Sequence, residues 1–196
     1  VQGNGSSVEK EIELDEVNAV GLHTIGTLHI ELGNEEHLVV KGESNIIDKF
    51  TFNVADGQLN IRTRPGVILR PNAPIHFYMT AVSLEDIKLT GSGDAIVPDM
   101  KGERLSLKST GSGDLDAGEL VMDELTVRMT GSGDMNVDAV KANTYSATLT
   151  GSGKLNVGMV ELDDLHVHQS GSGRTTIDDG VVSQQEVKLT GSGPFR

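Results

Sequence analysis

Apolar and polar residues alternate in short runs along this chain, and from about residue 81 the pattern repeats every twenty residues. Each repeat carries the tetrapeptide Thr-Gly-Ser-Gly, in which only Ser170 replaces the threonine. We number the positions of a unit as slots 1 to 20, starting from the first glycine of Gly-Ser-Gly. Those first glycines are Gly91, Gly111, Gly131, Gly151, Gly171 and Gly191. A constant period without insertions is typical of stacked, near-identical structural units.

Slots 5, 7, 10, 15 and 17 are mostly apolar, and polar, Pro or Gly residues near slots 8 and 13 interrupt the runs. Slot 7, for example, holds Val97, Ala117, Val137, Val157 and Ile177. Alternation with a period of two indicates half-buried strands, which can bury their apolar side only against equivalent strands of neighbouring units. The pattern therefore predicts an all-β fold: a parallel β-helix, or solenoid, with 20-residue coils in which slot 7 forms one vertical file.

A helical solenoid is the competing interpretation, but a unit that contains Thr-Gly-Ser-Gly leaves too few uninterrupted residues for two helices. The alternation assigns inward positions to the odd slots from 15 through 7, so both glycines of the motif are expected inside a bend that excludes side chains or needs a positive φ. Gly133→Val should therefore destabilise the protein, whereas Ser132→Ala should have little effect.

Residues 1–80 lack the repeat but keep strand-like alternation, as in residues 27–32 and 50–54. Asp56-Gly57 is a hairpin turn signal, and three prolines interrupt the pattern between residues 65 and 74. We therefore divide the chain into an irregular β segment, 1–80, that continues or caps the solenoid, and a regular solenoid of 20-residue repeats, 81–196.

Composition narrows the classes of function. Sixteen Lys and Arg against 29 Asp and Glu give a net charge of −13, which opposes binding to nucleic acid or anionic lipid. The absence of cysteine excludes disulfides and cysteine zinc sites. No apolar run approaches the ~20 residues of a transmembrane helix. Because the chain starts at Val1 rather than Met, we expect that a targeting segment has been removed or left out.

Tandem Thr-Gly-Ser-Gly-Asp units after an N-terminal segment with Leu-His-Ile-Glu-Leu, Leu-Val-Val-Lys-Gly and Asp-Gly-Gln-Leu-Asn-Ile resemble the head GIN domain family, whose members are called auto-transporter adhesins. The resemblance covers nearly the whole chain. It implies an exported bacterial protein with a right-handed β-helical fold, and it brings no catalytic residues. Lys154, Arg174 and Pro194 stand where the family pattern has Asp, so an uninterrupted Asp row is not implied.

Stacking would place Asp94, Asp114 and Asp134 about 4.8 Å apart on the outer surface. Calcium is one hypothesis for this row, although calcium needs six to eight oxygens and the chain lacks the nonapeptide repeat of calcium-binding β-rolls. The alternative is that each Asp is a solvated turn residue.

Two further surface patterns carry candidate chemistry. His166 and His168 at slots 16 and 18 should project from one outer face, with Glu186 and Lys188 on the next coil, either as metal ligands or as an ordinary histidine pair. The file of Thr and Ser hydroxyls could order water or ice, or it could satisfy the hydrogen bonds of turns. We assign no metal and no cofactor.

An enzyme is the remaining class, because β-helices also carry polysaccharide lyases and hydrolases. In those folds, loops inserted between coils build the cleft, and this chain has no insertion between Gly91 and Thr190. It also lacks nucleophile-elbow, His-Glu-x-x-His and phosphate-loop motifs. We therefore expect no enzymatic activity.

The sequence favours an exported β-solenoid, at the cell surface or associated with the periplasm or outer membrane, that adheres to a glycan or an extracellular protein. The candidate ligand-binding residues are Ser112, Asp114, Ser132, Asp134 and Asn136, which would act through repeated weak contacts. The alternatives are a non-adhesive envelope scaffold whose open end takes a partner strand or associates end to end, and a polysaccharide-acting enzyme.

Overall fold

The computed structural model describes all residues, Val1–Arg196, and is 70% strand and 2% helix. The first strands belong to the irregular segment: β1 Ser7–Glu13, β2 Ala19–His23, β3 Thr27–Leu32, β4 His37–Glu43, the short helix α1 Ser44–Ile47, β5 Phe50–Ala55, β6 Gln58–Thr63 and β7 His76–Ala81. The repeats form β8 Asp86–Gly91, β9 Asp94–Val97, β10 Met100–Gly111, β11 Leu115–Gly131, β12 Met135–Gly151, β13 Lys154–Gly171 and β14 Arg174–Gly191. The predicted all-β solenoid is confirmed, with about five turns.

Successive coils pair in parallel with a constant offset of twenty residues, so Ala117 lies beside Val137 and Val137 beside Val157. The ladder is interrupted at slots 8 and 13, where the chain turns, and the third corner is Gly-Ser-Gly. Each coil is therefore triangular, with sides at slots 4–7, 9–12 and 14–20. The buried hydrophobic residues form one core cluster from Leu14 to Val167, and the partly buried Ile177, Val182 and Val187 of the last coil pack against it.

Two details of the predicted coil need correction. Slot 12 is also inward, since Met122, Ala142 and Leu162 are buried. Of the two motif glycines only the second faces inward, as at Gly133, whereas Gly131 is exposed with φ +134°. The positive φ turns the chain, so that slots 20, 1 and 2 all lie on the outside before slot 3 returns to the core.

The N-terminal segment enters the stack out of sequence order. The β2–β3 layer lies between the β6–β7 layer and the β8–β9 layer, with parallel pairing on both sides. Its own bend at Gly26 supports the first regular corner, where the Asp94 N–H donates to the Gly26 carbonyl at 2.9 Å. The predicted Asp56-Gly57 hairpin is confirmed, because β5 and β6 pair antiparallel on either side of it.

The buried carboxylate of Glu43 ties the N-terminal end together. It accepts the backbone N–H groups of Gly5 at 2.6 Å and Asn72 at 2.7 Å, and a longer one from Ala73 at 3.4 Å. These donors, led by Gly5, outweigh the desolvation of the carboxyl and hold the pKa of Glu43 below its usual value. One side chain thus joins the first residues of the chain to the loop before β7.

Candidate functional site

The side of the solenoid at slots 4 and 6 extends without interruption into the N-terminal strands. We call the outward residues of these two files the aspartate face. Its slot-4 file is Lys41, His76, Thr27, Asp94, Asp114, Asp134, Lys154 and Arg174, and its slot-6 file is Val39, Tyr78, His29, Ile96, Asp116, Asn136, Asn156 and Thr176. Eight strand layers therefore present one continuous outer surface.

The Asp row has a structural task. The Oδ1 of Asp94 accepts the backbone N–H of Asp114 at 3.0 Å, and Asp114 accepts that of Asp134 at 2.7 Å. Asp134 accepts the N–H of Lys154 at 2.9 Å, while the Lys154 ammonium reaches its other oxygen at 3.3 Å. Each carboxylate thus links two coils beside the corner, and it needs only a backbone N–H from the next coil. The residue after Asp134 has to supply only a backbone N–H, so Lys154 can take the place of an aspartate there.

Slot 6 carries a ladder of planar polar groups. Asn136 donates to the carboxylate of Asp116 at 2.7 Å, and Asn156 donates to the amide oxygen of Asn136 at 2.9 Å. Each amide uses one N–H in the ladder and keeps its second N–H for an outside acceptor. The ladder fixes the direction of these amides before any ligand arrives.

Beyond this ladder, the N-terminal end of the aspartate face is an aromatic platform. Tyr78 stacks on His29 with ring centroids 4.7 Å apart and planes tilted by 14°, and the Nε2 of His29 lies 3.0 Å from the Nδ1 of His76. Lys41 packs over the Tyr78 ring at 5.4 Å, and Ile96 beside His29 is 45% exposed. Burial, and then the charge of His76, lower the pKa of His29, which keeps its imidazole neutral near pH 7.

Sequence reasoning missed this platform. The alternation in residues 27–32 marked His29 as outward, but it did not show that His29 pairs across to Tyr78, which is 49 positions later in the chain. The parallel pairing of β3 with β7 brings the two rings together. No local pattern contains that information.

A family model described as "Putative auto-transporter adhesin, head GIN domain" matches residues 17–196. The chain belongs to the head GIN domain family. The resemblance that the repeat and the N-terminal segment suggested is therefore confirmed. No curated protein matches this sequence.

Solved structures share the fold of this GIN domain. A putative adhesin from Bacteroides fragilis superposes with a TM-score of 0.82 at 18% identity, covering 100% of this chain and 98% of the other. A putative lipid binding protein from Parabacteroides distasonis gives 0.65 at 18% identity, with 100% and 98% covered. A putative adhesin from the same species gives 0.63 at 16% identity, with 100% and 99% covered. At these identities the likeness concerns the fold alone.

The GIN domain places three of the five predicted ligand-binding residues, Asp114, Asp134 and Asn136, on the aspartate face. Ser112 and Ser132 lie on the adjoining Gly-Ser-Gly corner with exposed side chains. Their backbone N–H groups donate to the glycine carbonyl of the coil before, at 2.8 and 2.9 Å. All five therefore lie on two neighbouring coils, and their role in binding remains a prediction.

The GIN domain contains no group of three or more His, Asp or Glu side chains placed to share a metal ion. His166 and His168 do lie on one outer face, next to Glu186 and Lys188 of the following coil. His166 Nδ1 is 3.6 Å from a Glu186 carboxylate oxygen.

The corner at slot 13 carries a long surface groove of about 460 Å³ along slots 11–13, floored by Met122, Ala142 and Leu162 and rimmed by charged residues such as Lys141. The family and the structural neighbours carry adhesin or lipid-binding names rather than enzyme names. The structure has no helix with the length and apolar character of a membrane span.

Proposed function

We propose that this GIN domain is an exported adhesion module, displayed at the cell surface or in the outer envelope, that binds a glycan along the aspartate face. The observation that carries the proposal is the continuity of the aromatic platform at His29 and Tyr78 with the ladder of Asp116, Asn136 and Asn156. Both lie in one file of a single exposed sheet side.

The chemistry of this face suits a sugar. A pyranose ring has an apolar side that packs on exposed apolar atoms, here those of Tyr78 and Ile96, which are 36% and 45% exposed. It also has a rim of hydroxyl groups that pair with planar carboxylates and amides. Tyr78 and His29 are already stacked, and the amides of Asn136 and Asn156 are already oriented, so little ordering entropy is lost on binding. Repeated rungs about 4.8 Å apart allow several weak contacts to add along one chain.

Support for an extracellular role comes from the family, whose name describes auto-transporter adhesins. The ligand-binding residues carried forward are Ser112, Asp114, Ser132, Asp134 and Asn136. The aromatic platform joins them as the apolar contact. No residue is assigned to a reaction, and no cofactor is assigned.

A glycan array identifies ligands, and calorimetry on the strongest ligand tests the site. Tyr78→Ala removes the aromatic ring and Asn136→Ala removes one rung, and each should weaken binding about three- to tenfold, because each contact is worth roughly 1 kcal/mol. Asn143→Ala is the matched control, since Asn143 is exposed at slot 13 on a different side of the coil. Unchanged binding by both face variants would exclude the aspartate face as the glycan site.

A second candidate, an envelope scaffold that associates through its open end, rests on one observation. Among the strands, β14 pairs only with β13; residues 194–196 cover its outer edge at Thr175 and Ile177, and the rest of that edge is open. Val181 and Leu189 on this strand are 71% and 47% exposed. An unpaired edge can take a strand from a partner or from a second copy. Light scattering from 1 to about 500 µM should then show concentration-dependent association that Val181→Asp weakens; a constant monomer mass would contradict end-to-end association.

A further inference from the structure

The side of the solenoid at slots 14–20 carries a line of positive groups that the adhesion proposal does not use. In slot 18, Lys88, Lys108 and Arg128 lie on three successive layers. In the two layers before β8, His23 of β2 lies beside Arg62 of β6, and both are at the position equivalent to slot 20. We call Arg62, Lys88, Lys108 and Arg128 the cationic strip; His23 lies in the layer between Arg62 and Lys88. The strip spans five consecutive layers, β6, β2, β8, β10 and β11, or about 19 Å at ~4.8 Å a layer.

Most of the charge on the cationic strip is unneutralised. Lys108 pairs with Asp86 at 2.6 Å. No carboxylate oxygen lies within 4.0 Å of the charged groups of Arg62, Lys88 or Arg128. This is unexpected in a protein of net charge −13, in which acids outnumber bases by 29 to 16. The Asp row links coils through backbone N–H groups. In contrast, the side chains of Arg62, Lys88 and Arg128 form no hydrogen bond in the structure.

His23 lies between two of these positive charges, Arg62 and Lys88. Its Nε2 lies 3.0 Å from Asn60 Oδ1, and the ring covers Gly21 in the gap next to Lys88. Burial is the main cause that lowers the pKa of His23; the hydrogen bond to Asn60 opposes it, and the positive charges of Arg62 and Lys88 make smaller contributions that lower it further. The layer between Arg62 and Lys88 is therefore under positive potential from both neighbours.

Hydroxyl groups flank the strip on both sides. Ser106 and Thr126 lie in slot 16, and Thr110 and Thr130 in slot 20, on the same layers as Lys108 and Arg128. Thr110 and Thr130 are exposed. On the β10 and β11 layers, a ligand on the strip therefore meets cations along its centre and hydroxyl donors and acceptors along its edges, whereas on the β8 layer Asp86 occupies slot 16. This combination suits a chain that carries both anionic groups and hydroxyl groups.

We propose that the cationic strip binds a linear anionic polysaccharide, bearing sulfate or carboxylate groups, laid along the solenoid axis. A narrow chain can follow the three cations of slot 18 and reach Arg62, which lies two positions to the side. A membrane surface or a nucleic acid duplex is wider than the strip and would bring further negative charge against a protein whose remaining surface is acidic. The strip and the aspartate face lie on different sides of the coil, so this inference does not depend on the proposed function.

The test uses dextran sulfate and polygalacturonate as probes, with unmodified dextran as the neutral control, in biolayer interferometry at 50, 150 and 500 mM NaCl. The variant Lys88→Gln/Lys108→Gln/Arg128→Gln removes three charges of the strip. The control Lys101→Gln/Lys141→Gln/Arg70→Gln also removes two lysines and one arginine, so both variants have the same net charge. Thermal melts of both variants check that the fold is retained. If loss of the Lys108–Asp86 ion pair lowers the stability of the triple variant, the double variant Lys88→Gln/Arg128→Gln replaces it.

We expect the wild-type protein to bind at least one anionic probe and not dextran, with affinity falling as salt rises. The strip variant should lose tenfold or more in affinity, and the control variant should stay within about threefold. Absence of binding to both anionic probes, or equal losses in the two variants, would overturn the proposal. Equal or tighter binding of single-stranded DNA to the strip would show a general polyanion site and would overturn the assignment to polysaccharide. Tyr78→Ala should leave this binding unchanged, which separates the strip from the adhesion site.

Discussion

The second glycine of each Gly-Ser-Gly corner is the most sensitive test of the stacked arrangement. At Gly133 an added Cβ would lie 2.1 Å from the carbonyl oxygen of Gly113 in the coil below, a backbone atom that cannot rotate away. Ordinary van der Waals contact begins near 3.4 Å, so the coils would have to separate by about 1.3 Å, the difference between the two distances. The φ of Gly133 lies outside the left-handed region, so the effect comes from packing rather than from backbone strain.

The cost of Gly133→Ala follows from this separation. Overpacking of this kind costs about 1–3 kcal/mol. Separating the coils also stretches the corner bond from the Ser132 N–H to the Gly111 carbonyl, now 2.9 Å, which is worth roughly 1 kcal/mol. We therefore expect about 3 kcal/mol of destabilisation, or a Tm lowered by about 6–12 °C. Gly133→Val should be worse.

Thermal and urea unfolding followed by circular dichroism measures the effect. Gly102→Ala is the matched control, because its added Cβ would meet only the Met122 sulfur, at 3.6 Å. It should be neutral or stabilising by up to about 1 kcal/mol. Ser132→Ala, next to the test site but exposed, should stay within about 0.5 kcal/mol of wild type. If Gly133→Ala and Gly102→Ala melted at the same temperature, the close stacking of the corners would be refuted.

Three other substitutions probe the interior, the N-terminal end and the Asp row. Tyr145 is fully buried, and its hydroxyl has no hydrogen-bond partner. Tyr145→Phe should therefore leave the free energy of unfolding in urea unchanged or raise it by about 1 kcal/mol. A clear loss of stability would indicate that the hydroxyl has a partner. Glu43→Gln should lower the Tm most near neutral pH. The reason is that a carboxyl whose pKa is lowered by folding stabilises the native state above its unfolded-state pKa, and this stabilisation is lost as the pH falls through its folded-state pKa. The gap between Glu43→Gln and wild type should therefore close in acid, and a gap independent of pH would contradict the carboxylate's role. Asp134→Ala removes the acceptor of the Lys154 N–H and should cost about 1 kcal/mol, with no change on adding calcium; a Tm that rises with calcium only in the wild type would instead identify an ion site.

The strict period made much of the solenoid predictable from the sequence. With no insertion between repeats, residues twenty apart must stack, so Val137 is predicted beside Ala117 before any coordinates are known. The corners at slots 8 and 13 followed from local composition, since Pro, Gly and polar residues interrupt strands. The outward direction of Asp134 and Asn136 followed from alternation, because side chains in a strand point alternately to its two sides.

The sequence did not indicate the structure where pairing is not periodic. The insertion of β2–β3 between later layers, and with it the stack of His29 on Tyr78, depends on contacts between distant segments, and such contacts leave no local pattern. The position of Arg62 and His23 also depends on contacts between distant segments. The repeat alone aligns Lys88, Lys108 and Arg128, but it does not show that Arg62 and His23 lie in the two layers before them. The physical reason is that a repeat specifies its own neighbours through its period, whereas an irregular segment finds its neighbours only by burying its particular side chains in the folded chain.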